Sequence, residues 1–404
     1  MTFRSHDVVL HGATGFVGRL TARYLAAHAV ETRVALSGRS KDKLLALRDE
    51  LGVDWPVLVT DAADAGSLSE LAASTTAVAT TVGPFAKHGL PLVRACAEAG
   101  TSYADLTGEV LFVRDSAAAA HERARETGAR IVHAAGFDSV PSDLGVLLLR
   151  ERVVADGEGT LEETVLLLDS MRGGVSGGTI DSMRNQIDIV KDDPALGRVL
   201  SDPYALSPDR AAEPDLGPQD DGRLPKRDPL LGRWVAPFMM APFNTRIVRR
   251  SNALQDHAYG PGFRYREVMG VGHSPVAPVL AGAVAAAFGG LAVGMVFPPT
   301  RSLLDKVLPK PGHGPSEKVQ RGGHFRIEVH TRTSTGARYV ATVAAHGDPG
   351  YAGTAVMLGE SALCLGLDRL SSAGGVLTPA TAMGDHLVAR LKARGFEMSV
   401  SRIS

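Results

Sequence analysis

The sequence predicts an α/β protein in two parts, a doubly wound parallel sheet over residues 1–150 and an α+β domain with an antiparallel sheet over 151–351. Three observations carry that prediction. A strand pattern near the start opens through a glycine turn into a helix; strand and helix patterns then alternate as far as residue 150; and from residue 164 longer β patterns and a hairpin turn replace the alternation.

At 404 residues the chain is long enough for two to three domains and a large core. Hydrophobic residues make up 44% and charged residues 22%, a globular composition, and with aromatics at only 5% the core must rest on Ala, Val and Leu. Lys and Arg number 43 against 44 Asp and Glu, so the net charge of −1 supplies no field to hold a polyanion and nucleic acid is not an expected partner. Cys96 and Cys364 cannot build a disulfide framework and lie in no metal-ligand spacing, so no metal is expected and a reducing cytoplasm fits. The opening M-T-F-R-S-H-D runs straight into a strand pattern, and no export signal is expected.

The first strand, 8–10, leads into Gly12-Ala13-Thr14-Gly15-Phe16-Val17-Gly18 and then an amphipathic run to residue 28. A Rossmann dinucleotide site needs that order: Gly12 turns the chain, Gly15 lets backbone approach a pyrophosphate, and Gly18 lets the helix pack on the strand. The N–H groups at the helix start then face the phosphates. The second strand, 33–36, ends in Ser37-Gly38-Arg39-Ser40. Where an NAD site places a carboxylate for the ribose diol this chain has none; Gly38, Arg39, Ser40, Lys41 and Lys43 cluster there instead. Guanidinium and ammonium groups pair with a ribose 2′-phosphate, so NADP(H) is the expected cofactor.

Alternation continues with a strand at 57–59 ending near Asp61, a short helix over 68–73, and a strand at 78–82 that runs from Val82 into Gly83-Pro84-Phe85. That turn falls at the end of a strand, where open α/β sheets bind ligands, and Phe85 can wall the nicotinamide. A helix over 91–98, strand-like segments at 101–105 and 106–109, a helix over 112–127 and a strand at 131–134 come next. Gly136-Phe137-Asp138 follows, ahead of a helix from residue 144, and with Asp61 these residues are further candidates for cofactor binding.

Beyond residue 164 a strand leads through a glycine-rich loop to a helix over 180–191. Ser176, Gly177, Gly178 and Thr179 at its start suit anion binding, closure over the cofactor, or plain capping. Residues 207–228, rich in Pro, Asp and Gly, read as a loop or lid over the site. The segment 262–271 and a hairpin of 325–329 with 339–345 suggest an antiparallel sheet that carries the dimer surface. Residues 276–297 hold no charge, and at about 1.5 Å per residue a helix of that length could span a bilayer. Pro278 and four glycines favour a buried or surface-docked helix pair broken at Gly289-Gly290, with membrane or lipid contact and a true span as alternatives.

Taken together, G-A-T-G-F-V-G (12–18), S-G-R-S (37–40), V-G-P-F (82–85), Y-A-D-L-T-G-E (103–109) and G-F-D-S-V-P-S-D-L-G (136–145) resemble the saccharopine dehydrogenase-like oxidoreductases. The segments 303–317, G-D-P-G-Y (347–351) and G-G-V-L-T-P-A (374–380) are similar, more narrowly, to the actinobacterial trans-acting enoyl reductases. The likeness covers essentially the whole chain. It implies an NADPH-dependent reductase of the double bond of an enoyl thioester, carried by an acyl carrier protein of a polyketide synthase that lacks its own enoyl reductase. It also implies that helices over 354–367 and 379–394 pack back on the cofactor domain, which then includes about 352–404. Where relatives carry an aromatic pattern after G-P this chain has F-A-K-H-G (85–89), which leaves the acyl chain and the role of His88 open.

Such a reductase needs donors for the enolate that forms at the thioester oxygen and a proton for the α-carbon. The candidates are Tyr103, whose phenol can donate, and Lys87 and His88 after the G-P-F turn, with Asp105 and Glu109 to orient them; each also has a purely structural explanation, and solvent can supply the proton. Two rival readings stand beside enoyl reduction: an NADPH-dependent imine or carbonyl reductase, and an NADPH-binding, lipid-associated protein without turnover. The expected setting is a cytoplasmic homodimer, with peripheral membrane contact as an alternative.

Overall fold

The computed structural model describes residues 4–174, 177–308 and 314–404. Short apolar runs form six strands in the first part: β1 (His6–His11), β2 (Val34–Gly38), β3 (Val57–Val59), β4 (Thr75–Thr80), β5 (Ser102–Ala104) and β6 (Arg130–Val132). Between and after them run α1 (Phe16–His28), α2 (Lys41–Leu51), α3 (Ala65–Ser74), α4 (Phe85–Ala99), α5 (Val110–Thr127) and α6 (Val140–Ala155). The middle of the chain supplies β7 (Leu161–Arg172), α7 (Gly177–Asp192), α8 (Ala195–Ser201), β8 (Lys226–Arg227), β9 (Trp234–Pro237), α9 (Ala241–Leu254) and β10 (Arg264–Gly270). Next come α10 (Ala277–Val296), α11 (Pro298–Val307), α12 (Glu317–Arg321), β11 (His324–Thr333) and β12 (Arg338–His346). The chain ends in α13 (Thr354–Leu367), β13 (Gly375–Leu377), α14 (Pro379–Ala382), α15 (Gly384–Ala393) and β14 (Glu397–Arg402).

The first sheet has seven parallel strands in the order β13-β6-β5-β4-β1-β2-β3. Apart from the edge strand β3, where Val59 is exposed, its strands are largely buried on both faces, as the pleat requires of a sheet covered by helices twice over. Val8 and Leu10 of β1 join Leu25 of α1 and Leu358 of α13 on one face, while Val9 joins Val78, Val93 and Phe112 on the other. Strand order reverses between β1 and β4, and this opens a crevice beyond their C-terminal ends.

The second sheet runs β14-β12-β11-β7-β10-β9-β8. Helix α6 joins the two sheets: Gly145 brings it so close to β11 that a Cβ there would lie 2.9 Å from Val329 Cγ2. The sheet is mixed rather than antiparallel throughout, because β7 and β10 pair in parallel from Glu163–Arg264 to Leu168–Met269. Helix α9 and its flanking segments provide the long crossover that a parallel pair requires.

Four further expectations change. Helix α4 begins at Phe85, ahead of Pro91, because the Glu109 carboxylate accepts the Phe85 and Ala86 N–H groups and so caps its first turn. Strand character stops at Ala104, because Asp105 Oδ1 accepts the Thr107 N–H and turns the chain. The segment 276–297 is one continuous helix through Gly289 and Gly290, with only 11% of its most apolar window buried. The C-terminal region is divided: β13 extends the first sheet, whereas β14 pairs with β12 in the second.

No residue of 207–228 is among those that line the large cavity. Buried charge anchors this segment elsewhere. Asp221 lies 2.6 Å from Arg246 and accepts a hydrogen bond from Thr245 of α9, while Asp228 pairs with Arg266 of β10 at 2.8 Å.

Candidate functional site

At the switch point β1 ends in His11, and the chain turns at Gly12 with φ +79°, where a Cβ would stand 2.8 Å from Thr81 Oγ1 and Val82 Cγ2. A Cβ on Gly18 would lie 2.2 Å from the Gly12 carbonyl oxygen, so only glycine lets α1 settle here. Ala13 is buried and Thr14 half-buried on the turn. Gly15 caps α1 without a side-chain hydrogen bond, and no acid occupies its first turn. The positive helix end therefore faces the crevice unscreened, which suits a diphosphate.

Arg39, just past Gly38 at the end of β2, is exposed and has no ion pair or hydrogen bond among the described residues. Ser40 caps α2 by accepting the Lys43 N–H, and the Lys43 side chain is exposed. Asp61 lies exposed on the loop after β3 and accepts the Ala63 N–H at 3.0 Å. His11, absent from the sequence reading, is pushed down by burial to about 4, so its ring is neutral. Its Nδ1 lies 3.0 Å from Ser37 Oγ, and its Nε2 is a buried polar atom without a protein partner among the described residues. This donor set, with a glycine cradle and no carboxylate at the end of β2, fits NADPH.

A cavity of about 900 Å³ extends from the glycine turn into the second part of the molecule. Gly15, Phe16 and Val17 line it at one side, Gly83, Pro84 and Phe85 at another, and Gly136, Phe137 and Asp138 at a third. Val82 precedes this wall without lining it. The rest is mainly apolar, with Met183 and Ile187 of α7, Phe238, Met240 and Phe243 around the start of α9, and Phe288 of α10. Gly177, Gly178 and Thr179 line it too; Ser176 lies outside the described residues. Tyr351 stacks edge-on against Phe16 with centroids 5.1 Å apart and accepts the Gly177 N–H at 3.1 Å, so it ties this loop to the glycine turn.

Of the candidates for the chemistry, Tyr103, Lys87, His88, Asp105 and Glu109, none lines the cavity. Lys87 and His88 are exposed on the outer side of the first turn of α4, because Phe85 and Gly89 take its inner positions. Tyr103 is fully buried and donates to Asp105 Oδ2 at 2.9 Å, and burial raises its pKa far above the ordinary range. The same Oδ2 meets His133 Nδ1 at 2.7 Å, and His133 Nε2 meets Ser116 Oγ at 2.7 Å. Asp105 Oδ1 accepts the N–H groups of Thr107 and Ala134, both of which line the cavity. Ala134 has φ +58°, a conformation that costs an L-residue about 1–2 kcal/mol and that this hydrogen bond holds in place. Asp105 therefore shapes the cavity floor from beneath.

Glu109 binds across the site, accepting Ser182 Oγ at 2.8 Å and Asn185 Nδ2 at 3.4 Å from α7 besides capping α4. Titratable side chains on the cavity wall, among the described residues, are Asp138, Asp181, Lys191 and Tyr351. Asp138 differs from the rest. It is half-buried, it lines the cavity, and it has no hydrogen-bond or ion-pair partner among the described residues. Desolvation raises its pKa to about 6.

A glycine turn at a strand-order reversal, with an unpaired guanidinium beyond the second strand, defines a Rossmann-type dinucleotide-binding protein. Residues 8–132 match the family model described as the saccharopine dehydrogenase NADP binding domain. The chain is 50% identical over 414 residues to trans-acting enoyl reductases of Mycobacterium ulcerans and Mycobacterium tuberculosis, with 99% of each chain covered. A second Mycobacterium tuberculosis protein is 52% identical over 417 residues, covering 100% of this chain and 99% of that one. Among solved structures, apo saccharopine dehydrogenase (L-Glu forming) from Saccharomyces cerevisiae aligns with a TM-score of 0.54 at 13% identity, over 99% of this chain and 100% of that chain, a likeness of fold. The chain belongs to the trans-acting enoyl reductase family of saccharopine dehydrogenase-like proteins, and it is an NADP-dependent oxidoreductase.

Proposed function

We propose that this protein reduces the α,β double bond of an enoyl thioester presented by an acyl carrier protein of a polyketide synthase, with Asp138 as the donor of the α-proton. The observation that carries this reading is the apolar cavity of about 900 Å³, whose wall includes both the glycine turn and a half-buried carboxyl with no partner among the described residues. NADPH, when bound, supplies the hydride for the β-carbon. Gly15, Phe16 and Val17 hold its diphosphate; Arg39, with Ser40 and Lys43, takes the 2′-phosphate; and Gly83, Pro84 and Phe85 wall the nicotinamide. Met183, Ile187, Met240 and Phe243 exclude water and receive the acyl chain.

As negative charge collects on the thioester oxygen, the Asp138 O–H bond breaks, and the enolate electron pair takes the proton at the α-carbon. The resulting carboxylate then recovers a proton from water. Desolvation fits Asp138 for this part, since a carboxyl with a pKa of about 6 keeps its proton in about a tenth of the molecules at pH 7, far more than an ordinary aspartate does. Tyr103, Asp105 and His133 act as positioning residues for the backbone at Thr107 and Ala134.

A polar imine or ketone substrate would leave most of this wall without complementary contacts. The test is oxidation of NADPH by the purified protein with enoyl thioesters of increasing chain length, against a panel of keto acids and imines. We expect kcat/KM to rise with chain length for the thioesters alone. Turnover of imines or ketones without turnover of any thioester overturns the reading.

A further inference from the structure

We infer that α10 seats in one leaflet of a lipid bilayer and that the substrate cavity opens toward that layer. Fifteen large hydrophobic side chains are exposed in the described chain, and seven of them fall between residues 276 and 303: Val276, Val279, Leu280, Val293, Val296, Phe297 and Leu303. Scattered apolar residues are ordinary on a surface, but a concentration of this kind within one short stretch marks a contact. The most apolar window of α10 has a mean hydropathy of 2.1 and is 11% buried, so this helix is not a core element. Its N-terminal third is held by the protein, where Ala277 and Ala281 pack with Ala236 and Val271. Further along, Met295 is buried and Phe288 reaches the cavity, while Val279, Leu280, Val293 and Val296 stay exposed.

The side chains identify what covers it. From 276 to 297 no residue carries a side chain that donates or accepts a conventional hydrogen bond, and the helix satisfies its own backbone. A protein partner brings polar groups, about one hydrogen bond per 100–200 Å² of interface, and this surface would leave them unpaired. Hydrocarbon makes no such demand. Polar residues stand at both ends, His273 and Ser274 before the helix and Thr300, Ser302 and Lys306 after it, where headgroups would lie. A helix lying in the leaflet to a depth of about 5–10 Å satisfies both the apolar run and its polar ends.

Continuity with the cavity adds an independent argument. Phe288 and Val296 of α10 line the cavity, whereas Val293 and Phe297 beside them are 59% and 57% exposed. One helix thus forms the cavity wall and the outer apolar surface, and a hydrocarbon chain can pass between them without crossing water. The lipid contact does not depend on the reduction chemistry; only the delivery of an acyl chain rests on the proposed function.

Flotation of the full chain with phosphatidylcholine vesicles, and with vesicles containing phosphatidylglycerol, tests the contact. The protein is expected to float with both. Val279→Ser, Val293→Ser and Phe297→Ser together, all away from the cavity, should lower the bound fraction at least tenfold, and Val293→Ser alone should lower it measurably. NADPH affinity, far-ultraviolet circular dichroism and turnover of a short, soluble enoyl thioester should stay unchanged. Binding to the anionic vesicles alone, abolished by salt, would overturn the proposal in favour of simple charge attraction. A chain that stays out of the lipid fraction, and whose dimer is split by the same substitutions, would overturn it in favour of a second copy on this face. Flotation without turnover of any thioester would instead count against the reduction reading and leave the lipid contact standing.

Discussion

Replacing Asp138 by Asn keeps the shape of the side chain and removes its acidic proton. If this carboxyl protonates the α-carbon, kcat should fall by about 10²–10⁴, the usual contribution of a positioned general acid. That corresponds to about 3–5 kcal/mol of activation free energy. The native enzyme should also show a pH limb. With a pKa of about 6, half the Asp138 carboxyls are protonated at pH 6 and about a tenth at pH 7, so kcat should drop close to tenfold per unit above that point. The Asn variant should lack the limb.

The Asn variant should gain stability where it loses activity. Burial raises the folded pKa above the unfolded value of 3.8, so the folded state binds the proton more tightly. Native stability should therefore decline as the pH rises from about 4 to 6 and stay lower above that, by on the order of 1–3 kcal/mol. The Asn variant escapes that decline and should melt higher than the native protein at pH 7. Stopped-flow NADPH absorbance from pH 5 to 8, α-deuterium incorporation in D2O and calorimetry report the three effects. A variant that retains more than a third of native kcat with the limb intact would refute the assignment.

Arg39→Ala should weaken NADPH binding by about 1.5–3 kcal/mol while NADH affinity changes less than twofold, measured by titration calorimetry; equal losses would remove the 2′-phosphate contact from Arg39. Tyr103→Phe deletes one buried hydrogen bond and should lower stability by about 1 kcal/mol with kcat within twofold, whereas a collapse of kcat at unchanged stability would restore Tyr103 as a donor. Asp105→Ala should cost about 3–5 kcal/mol of stability, because His133 and the N–H groups of Thr107 and Ala134 lose their buried acceptor; a denaturant melt within 1 kcal/mol of native would contradict that role. Lys87→Ala and His88→Ala should leave kcat/KM within twofold, in keeping with their exposed positions.

Local chemistry settled a good deal of this molecule before any contact was known. Gly12, Gly15 and Gly18 announce the dinucleotide turn because their spacing answers to three steric demands within one strand-turn-helix unit. Arg39 announces the phosphate because charge at the end of β2 is a local property. The regular alternation of strand and helix likewise specifies a parallel sheet, since each parallel pair needs a crossover. Other features depend on partners remote in the chain. Glu109 starts α4 at Phe85 from 24 residues away, and β7 pairs in parallel with β10 on one edge and antiparallel with β11 on the other. The loop 207–228 is fastened through Asp221 and Asp228 to Arg246 and Arg266.

Tyr103 and Asp138 show the division most sharply. Both stand in motifs whose importance could be read directly, yet the more obviously reactive phenol lies sealed under the floor and the carboxyl faces the cavity. Residue type fixes what a group can do chemically. Whether it meets water, substrate or a buried partner is set by packing among segments far apart in the chain, and so is its protonation state, because desolvation depends on all the atoms that surround it.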